Sequence, residues 1–139
     1  MINAWSRTAS VLLASAALTA TGCSADKPAD DPKFVAGQPL ALESAHGLTS
    51  VTVTADGGKL EQGTNALLVV LGGADVELVS ASSFMPVHGH PGPTPAVTRA
   101  GSAYRVTGLE FTMPGLWQVT LDLRAQSETD SADFVVDVP

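Results

Sequence analysis

The strongest constraint on the fold is the regular alternation of apolar and polar residues near the C-terminus. Trp117, Val119, Leu121 and Leu123 are each separated by one polar residue. A period of two places all four apolar side chains on one face, which is typical of a β-strand with one buried side. From residue 38 onward, no stretch has the period of 3.6 residues that marks a helix. The C-terminal part of the chain is therefore predicted to be all-β.

Further segments of strand length recur between residues 38 and 139. Tyr104 and Val106 share one face of such a segment, whereas Leu109 and Phe111 have the opposite parity. A bulge at Thr107-Gly108 would bring all four side chains to the same face. Six to seven short antiparallel strands predict an immunoglobulin-like antiparallel β-sandwich. Its aromatic core residues are expected to be Tyr104, Phe111 and Trp117.

The first 22 residues have the features of a secretory signal peptide. Arg7 supplies one positive charge, an apolar run follows at 11–18, and small residues occupy 20–22. The apolar run is too short to cross a membrane as a helix, which needs about 20 apolar residues. Residues 1–22 are therefore predicted to be removed during export.

The only cysteine of the chain, Cys23, directly follows these small residues. This arrangement resembles a bacterial lipobox, in which the cysteine is acylated and becomes the new N-terminus. The usual leucine three positions before the cysteine is Ala20 here, and cleavage by ordinary signal peptidase is the alternative. We expect an exported lipoprotein of the cell envelope, anchored in the membrane and facing the periplasm in a Gram-negative host.

Residues 23–37 are predicted to be a lipidated, flexible linker, and 38–139 the folded domain, with Phe34 as the alternative start of the domain. The segment after Cys23 is rich in Asp, Pro and Ala and has no periodicity. The chain carries 14 acidic and 7 basic residues, for a net charge of -7. This charge excludes nucleic acid as a partner, because nucleic-acid binding needs a basic surface. A single cysteine also excludes an internal disulfide and a multi-cysteine zinc site.

Two Met-Pro pairs and a His-Gly-His sequence hold the residues with distinctive chemistry. Met85 and Met113 are the only methionines after the signal peptide, and His88 and His90 are two of three histidines. Imidazole and thioether groups suit copper, and the soft thioether favours Cu(I). Counting strands places these four residues at one end of the predicted sandwich and His46 at the other. We therefore predict a copper site formed by Met85, His88, His90 and Met113.

Other interpretations of the same residues stay open. The segment 84–93 is also compatible with a solvated loop, and Met113-Pro114-Gly115 with a type II turn whose methionine belongs to the core. The domain would then be a scaffold or protein-interaction module of the cell envelope. Ser82 and Ser83 near His88 suggest a nucleophile and a base, but no nucleophile elbow or carboxylate pair accompanies them. We expect a protein that is not an enzyme.

Three short segments also carry a family resemblance. They are FMPVHGH at 84–90, Gly101 followed by Tyr104, and FTMPGLWQV at 111–119. Together they resemble the YtkA-like domain, a family related to FixH. The resemblance implies an exported or membrane-tethered β-sandwich, linked in some relatives to copper handling or terminal-oxidase assembly. An envelope partner such as an oxidase or a copper-handling protein follows from it. The chain departs from the family at Val87-His88, where many members carry a second methionine.

Acylation of Cys23 is directly testable by cell fractionation. We expect Cys23→Ala to release the mature domain into the soluble envelope fraction or to block processing. The reason is that two or three acyl chains hold a protein stably on a membrane, whereas one does not. Immunoblots of membrane and soluble fractions measure the distribution. Equal membrane partition of the wild type and of a Cys23→Ala variant whose signal peptide has been removed would contradict lipidation.

Overall fold

The computed structural model describes residues 31–139, so the predicted signal peptide, Cys23 and most of the predicted linker lie outside the described residues. The described part is all-β, and none of its residues forms a helix able to cross a membrane. Its nine strands are β1 (Leu40–Glu43), β2 (Ser50–Ala55), β3 (Gly63–Leu71), β4 (Glu77–Met85), β5 (His90–Pro91), β6 (Ala96–Ala100), β7 (Ala103–Phe111), β8 (Gly115–Ala125) and β9 (Glu128–Val138).

The strands form two antiparallel sheets. The five-stranded sheet has the order β1-β2-β3-β7-β6, and the four-stranded sheet has the order β5-β4-β8-β9. The predicted all-β antiparallel sandwich is confirmed. The strand number is nine instead of the predicted six to seven. The difference is understandable because β1 has four residues and β5 has two, which is too short for a period of two to be recognised.

The core lies between the two sheets and follows the predicted alternation. Trp117, Val119, Leu121 and Leu123 are each at most 1% exposed. The Trp117 ring lies against that of Phe111, with ring centroids 5.4 Å apart. These inward-facing side chains of β8 therefore fill the centre of the sandwich, as the sequence pattern predicts.

The predicted bulge in β7 is confirmed. Asn65 of β3 pairs with Leu109, whereas the next residue, Ala66, pairs with Thr107, so Gly108 has no partner in the ladder. Gly108 has a φ of 73°, in the left-handed region where only glycine is free of strain. The extra residue, Gly108, brings the apolar side chains before and after it to the same face of β7. Tyr104, Val106, Leu109 and Phe111 are consequently all buried.

Residues before the predicted domain start also pack against the sandwich. Val135 of β9 donates its N–H to the Pro32 carbonyl, and Phe34 donates its N–H to the Val135 carbonyl, both at 2.9 Å. The Phe34 side chain is buried in the core. Packing therefore extends to Pro32, ahead of residue 38. A single aromatic residue in a Pro- and Asp-rich segment has no periodic context that would mark it as part of the fold.

A buried carboxylate holds the turn between β1 and β2. Asp130 accepts hydrogen bonds from the backbone N–H groups of His46, Leu48 and Ser131, at 2.8–3.2 Å. Burial alone would raise the pKa of Asp130. Hydrogen bonds from the Ser44 hydroxyl and from these backbone groups outweigh burial and hold that pKa below its usual range. The ionised carboxylate therefore fastens the turn to the beginning of β9.

Truncating the central side chain of the core should strongly destabilise the domain. We expect Trp117→Ala to lower the free energy of unfolding by about 3–5 kcal/mol, because it removes a large, fully buried ring. Urea denaturation followed by circular dichroism measures the loss, with Val70→Ala at an exposed position as the control. Trp117 is the only tryptophan after the signal peptide. An emission maximum typical of a solvent-exposed indole in the folded domain would contradict this packing.

The Asp130 turn should make stability depend on pH. Because the folded-state pKa lies below the unfolded value of about 3.9, the carboxylate stabilises the fold above that value and loses its contribution as the pH falls below it. We expect Asp130→Asn to lower stability at neutral pH by about 1–3 kcal/mol, since a hydrogen-bonded charge is lost. Urea denaturation at several pH values should show a shallower decline between about pH 5 and pH 2 for Asp130→Asn than for the wild type. Parallel pH profiles would contradict this role.

Candidate metal site

Three of the predicted copper ligands belong to the hairpin that joins β4 to β5. Met85 is the last residue of β4 and pairs with His90. The N–H groups of His88 and Gly89 both donate to the Met85 carbonyl, at 3.3 and 2.9 Å. Gly89 has a φ of 64°, which lets the chain reverse at once. As a result, the His88 and His90 rings lie near each other, with centroids 6.3 Å apart and planes inclined by 25°.

Met113 is brought to the same end of the sandwich through Gly115. A Cβ atom added at Gly115 would lie 2.6 Å from the terminal methyl of Met85, so the Gly115 backbone lies directly beside this flexible side chain. Gly115 also has a φ of 130°. Two residues earlier, the Met113 carbonyl accepts a hydrogen bond from Trp117 Nε1 at 3.0 Å. Met85 and Met113 therefore lie at one end of the fold, as the strand count predicts.

His46 lies at the opposite end, also in agreement with the strand count. Along the β8–β9 ladder, Gly115 pairs with Val138, whereas Asp130 pairs with Leu123 at the far end of the same strands. His46 Nδ1 lies 2.9 Å from the buried carboxylate of Asp130. The third histidine is thus separated from the other two by the length of β9.

The four predicted ligands differ in their access to solvent. His88 and His90 are exposed, Met113 is half-buried, and Met85 is only 2% exposed and belongs to the core. Because a ligating imidazole nitrogen lies about 2 Å from its ion, two rings on one ion have centroids at most roughly 6 Å apart. The observed ring separation is close to this limit. Both exposed side chains would have to rotate to bring their rings closer and share one ion.

A metal site beside the β4–β5 hairpin would combine sulfur ligands with nitrogen ligands. Within residues 31–139, the His, Cys, Asp and Glu side chains form no group of three or more that could hold a metal ion. The further protein ligands that the sequence predicts at this end are the thioethers of Met113 and Met85. Such a mixture of imidazole and thioether ligands favours copper over zinc, calcium or magnesium.

The two serines considered as nucleophiles lie on opposite faces of β4. Ser82 is exposed, whereas Ser83 is buried, and its hydroxyl has no hydrogen-bond partner among the described residues. Gly92 donates its N–H to the Ser83 carbonyl at 2.9 Å, and a Cβ atom at Gly92 would overlap the Ser83 hydroxyl. Ser83 therefore packs the end of the hairpin against the rest of the sandwich.

The sequence interpretation missed two features of the molecule. One is the buried Asp130 turn, whose carboxylate looks like an ordinary solvated residue in an acidic segment. The other is the exposure of three large apolar side chains beside the histidines, namely Phe84, Val87 and Leu116. The alternation along β4 could have identified Phe84 as an exposed residue, because its neighbour Met85 points into the core.

Comparison with known proteins identifies no relative of this chain. The chain matches no protein-family model, no curated protein and no solved structure. The function of this end of the sandwich is therefore inferred from its own geometry and from the chemistry of its donor groups.

Proposed function

We propose that this protein is an exported, lipid-anchored β-sandwich that binds copper for chaperoning or sequestration. The ligands are His88, His90, Met113 and Met85. The observation that carries the proposal is the β4–β5 hairpin, which holds two exposed imidazoles beside Met85. The contact between Met85 and Gly115 adds the loop that bears Met113.

The ligands divide between two layers of the structure. His88 and His90 lie at the surface and supply the imidazole donors that suit Cu(II). Met113 and Met85 lie deeper and supply the thioethers that suit Cu(I). Methionine is unbranched and adapts its rotamer easily, so a change at Met85 does not require the strands to move. Binding through Met85 would nevertheless remove its methyl group from the core.

Features of the sequence support the parts of the proposal that concern export, anchoring and the partner. A signal peptide at 1–22 and an acylated Cys23 would place the domain on the membrane of the cell envelope. The resemblance to the YtkA-like family favours copper handling. An oxidase or another copper-handling protein of the envelope is the partner that this resemblance suggests.

A second candidate function is a scaffold or protein-interaction module that binds no metal. The observation that favours it is the burial of Met85, whose side chain is fully used in packing. In this alternative, Met85 and Met113 are core residues, and the exposed hairpin is a contact surface for another envelope protein. The two candidates differ in whether the purified domain binds copper.

Copper binding by this end of the sandwich can be tested by competition with a chromophoric chelator. We expect His88→Ala and His90→Ala each to weaken Cu(II) binding by at least about tenfold, since even a residue that only supports a ligand contributes this much. Met85→Leu with Met113→Leu should mainly weaken Cu(I) binding. These replacements conserve volume and so keep the core intact. Binding of Cu(II) should also weaken as the pH falls, because imidazole must be neutral to bind a metal.

The third histidine provides the matched control. His46→Ala removes an imidazole at the opposite end of the sandwich and should leave copper affinity unchanged. Urea denaturation of each variant separates loss of ligands from loss of fold. If the wild type binds no more copper than a variant lacking all four ligands, the scaffold function replaces the copper function.

A further inference from the structure

An exposed apolar surface lies on the outer face of the four-stranded sheet, beside the two histidines. Phe84, Val87 and Leu116, here named the apolar tip, are 41%, 78% and 38% exposed. Phe84 pairs with Gln118 of β8, and Leu116 lies two residues before Gln118. Opposed residues of an antiparallel pair share a face, and so do residues two apart on a strand. Phe84 and Leu116 therefore project from the same outer face, and Val87 lies in the adjoining hairpin turn.

The described chain begins on this same face. The Asp31 carboxylate accepts a hydrogen bond from the side-chain amide of Gln118 at 3.3 Å. Lys33 forms an ion pair of 3.2 Å with Asp137, and Asp137 pairs with Leu116 in the β8–β9 ladder. The N-terminal segment thus starts next to the apolar tip, where Lys33 neutralises Asp137 and the Asp31 carboxylate lies against Gln118.

The length of chain before Asp31 restricts how far this face can lie from an anchor at Cys23. Eight residues at full extension span at most about 28 Å. A lipid attached to Cys23 would therefore keep the apolar tip within a domain diameter of the membrane surface. The opposite, five-stranded sheet would face away from the membrane whenever the four-stranded sheet faces it.

We infer that the apolar tip is a membrane-contact surface that inserts into the interfacial region of the bilayer in which Cys23 is anchored. This inference rests on the acylation of Cys23 in the proposed function. Phe and Leu side chains on one face are the residues that bind membrane interfaces. The contact orients the domain so that the His88–His90 hairpin lies at the bilayer surface.

The size of the apolar tip favours a bilayer over a protein as its occupant. A stable protein interface buries about 800 Å² on each partner, far more than three partly exposed side chains supply. A membrane contact needs less, because the acyl anchor already holds the domain at a high local concentration near the lipid. The acidic chain also restricts the lipid, since 14 acidic residues oppose 7 basic ones. A zwitterionic surface is therefore preferred to an anionic one.

The orientation of the four-stranded sheet relative to the bilayer can be tested with the full lipoprotein in phosphatidylcholine vesicles. Acylation blocks the thiol of Cys23, so a cysteine introduced by Val87→Cys is the only free thiol. An environment-sensitive fluorophore on this cysteine should shift its emission to shorter wavelength and be quenched by nitroxide-labelled lipid. Val70→Cys is the matched control, because Val70 is 46% exposed on β3 of the five-stranded sheet. We expect no shift and no quenching there.

A second set of variants tests the side chains themselves. Phe84→Ser with Leu116→Ser should abolish quenching of the fluorophore at position 87, while the acyl chains keep the protein on the vesicles. Val79→Ser removes an exposed apolar side chain from the far end of the same sheet and should leave quenching intact. Vesicles that contain anionic lipid should give weaker quenching at position 87 than zwitterionic vesicles.

Several outcomes would overturn the inference. Absence of quenching at position 87 in anchored protein, or equal quenching at positions 87 and 70, would show that the sheet does not face the bilayer. Crosslinking between copies through position 87 would identify a second copy as the occupant. A mass spectrum without acyl chains on Cys23 would remove the anchor and the membrane contact together. Copper titration of the same sample remains a separate measurement, so failure of copper binding is distinguishable from failure of orientation.

Discussion

The Trp117 indole connects the centre of the sandwich to the loop that carries Met113. Its ring is fully buried against Phe111, and its N–H donates to the Met113 carbonyl at 3.0 Å. A buried indole N–H needs a partner, so the loop is held wherever the ring is packed. Gly115, between these two residues, then brings the backbone against the methyl of Met85. The geometry of the candidate metal site is therefore a consequence of core packing.

Much of the fold was predictable because long strands repeat a period of two. The alternation around Trp117 and the change of parity that Gly108 corrects both follow from this period. Short elements carry no such signal, which is why β1 and β5 were not counted. The choice of residue 38 over Phe34 as the start of the domain has a related reason, since the burial of Phe34 depends on the backbone of Val135, far away in the sequence.

The position of the four candidate ligands at one end of the sandwich was predictable, but their division into layers was not. Strand counting gives the end of the sandwich at which a residue lies. It does not tell whether the last residue of a strand points into the core or towards solvent. Met85 has the inward parity of Ser83, whereas His88 and His90 lie in and just after the turn and are exposed. A buried thioether beneath exposed imidazoles is a property of the three-dimensional packing.

The alternation of inward and outward side chains along β4 also separates the two proposed roles of this end of the sandwich, metal binding and membrane contact. Met85 faces the core and pairs with His90, whereas Phe84 faces outward and pairs with Pro91. Adjacent residues of one strand thus belong to the proposed metal site and to the proposed membrane contact, on opposite faces of the sheet. Replacing Phe84 should leave the proposed copper ligands in place, and replacing Met85 by Leu should leave the outer face unchanged. The two proposals therefore depend on different side chains, although the same hairpin carries both.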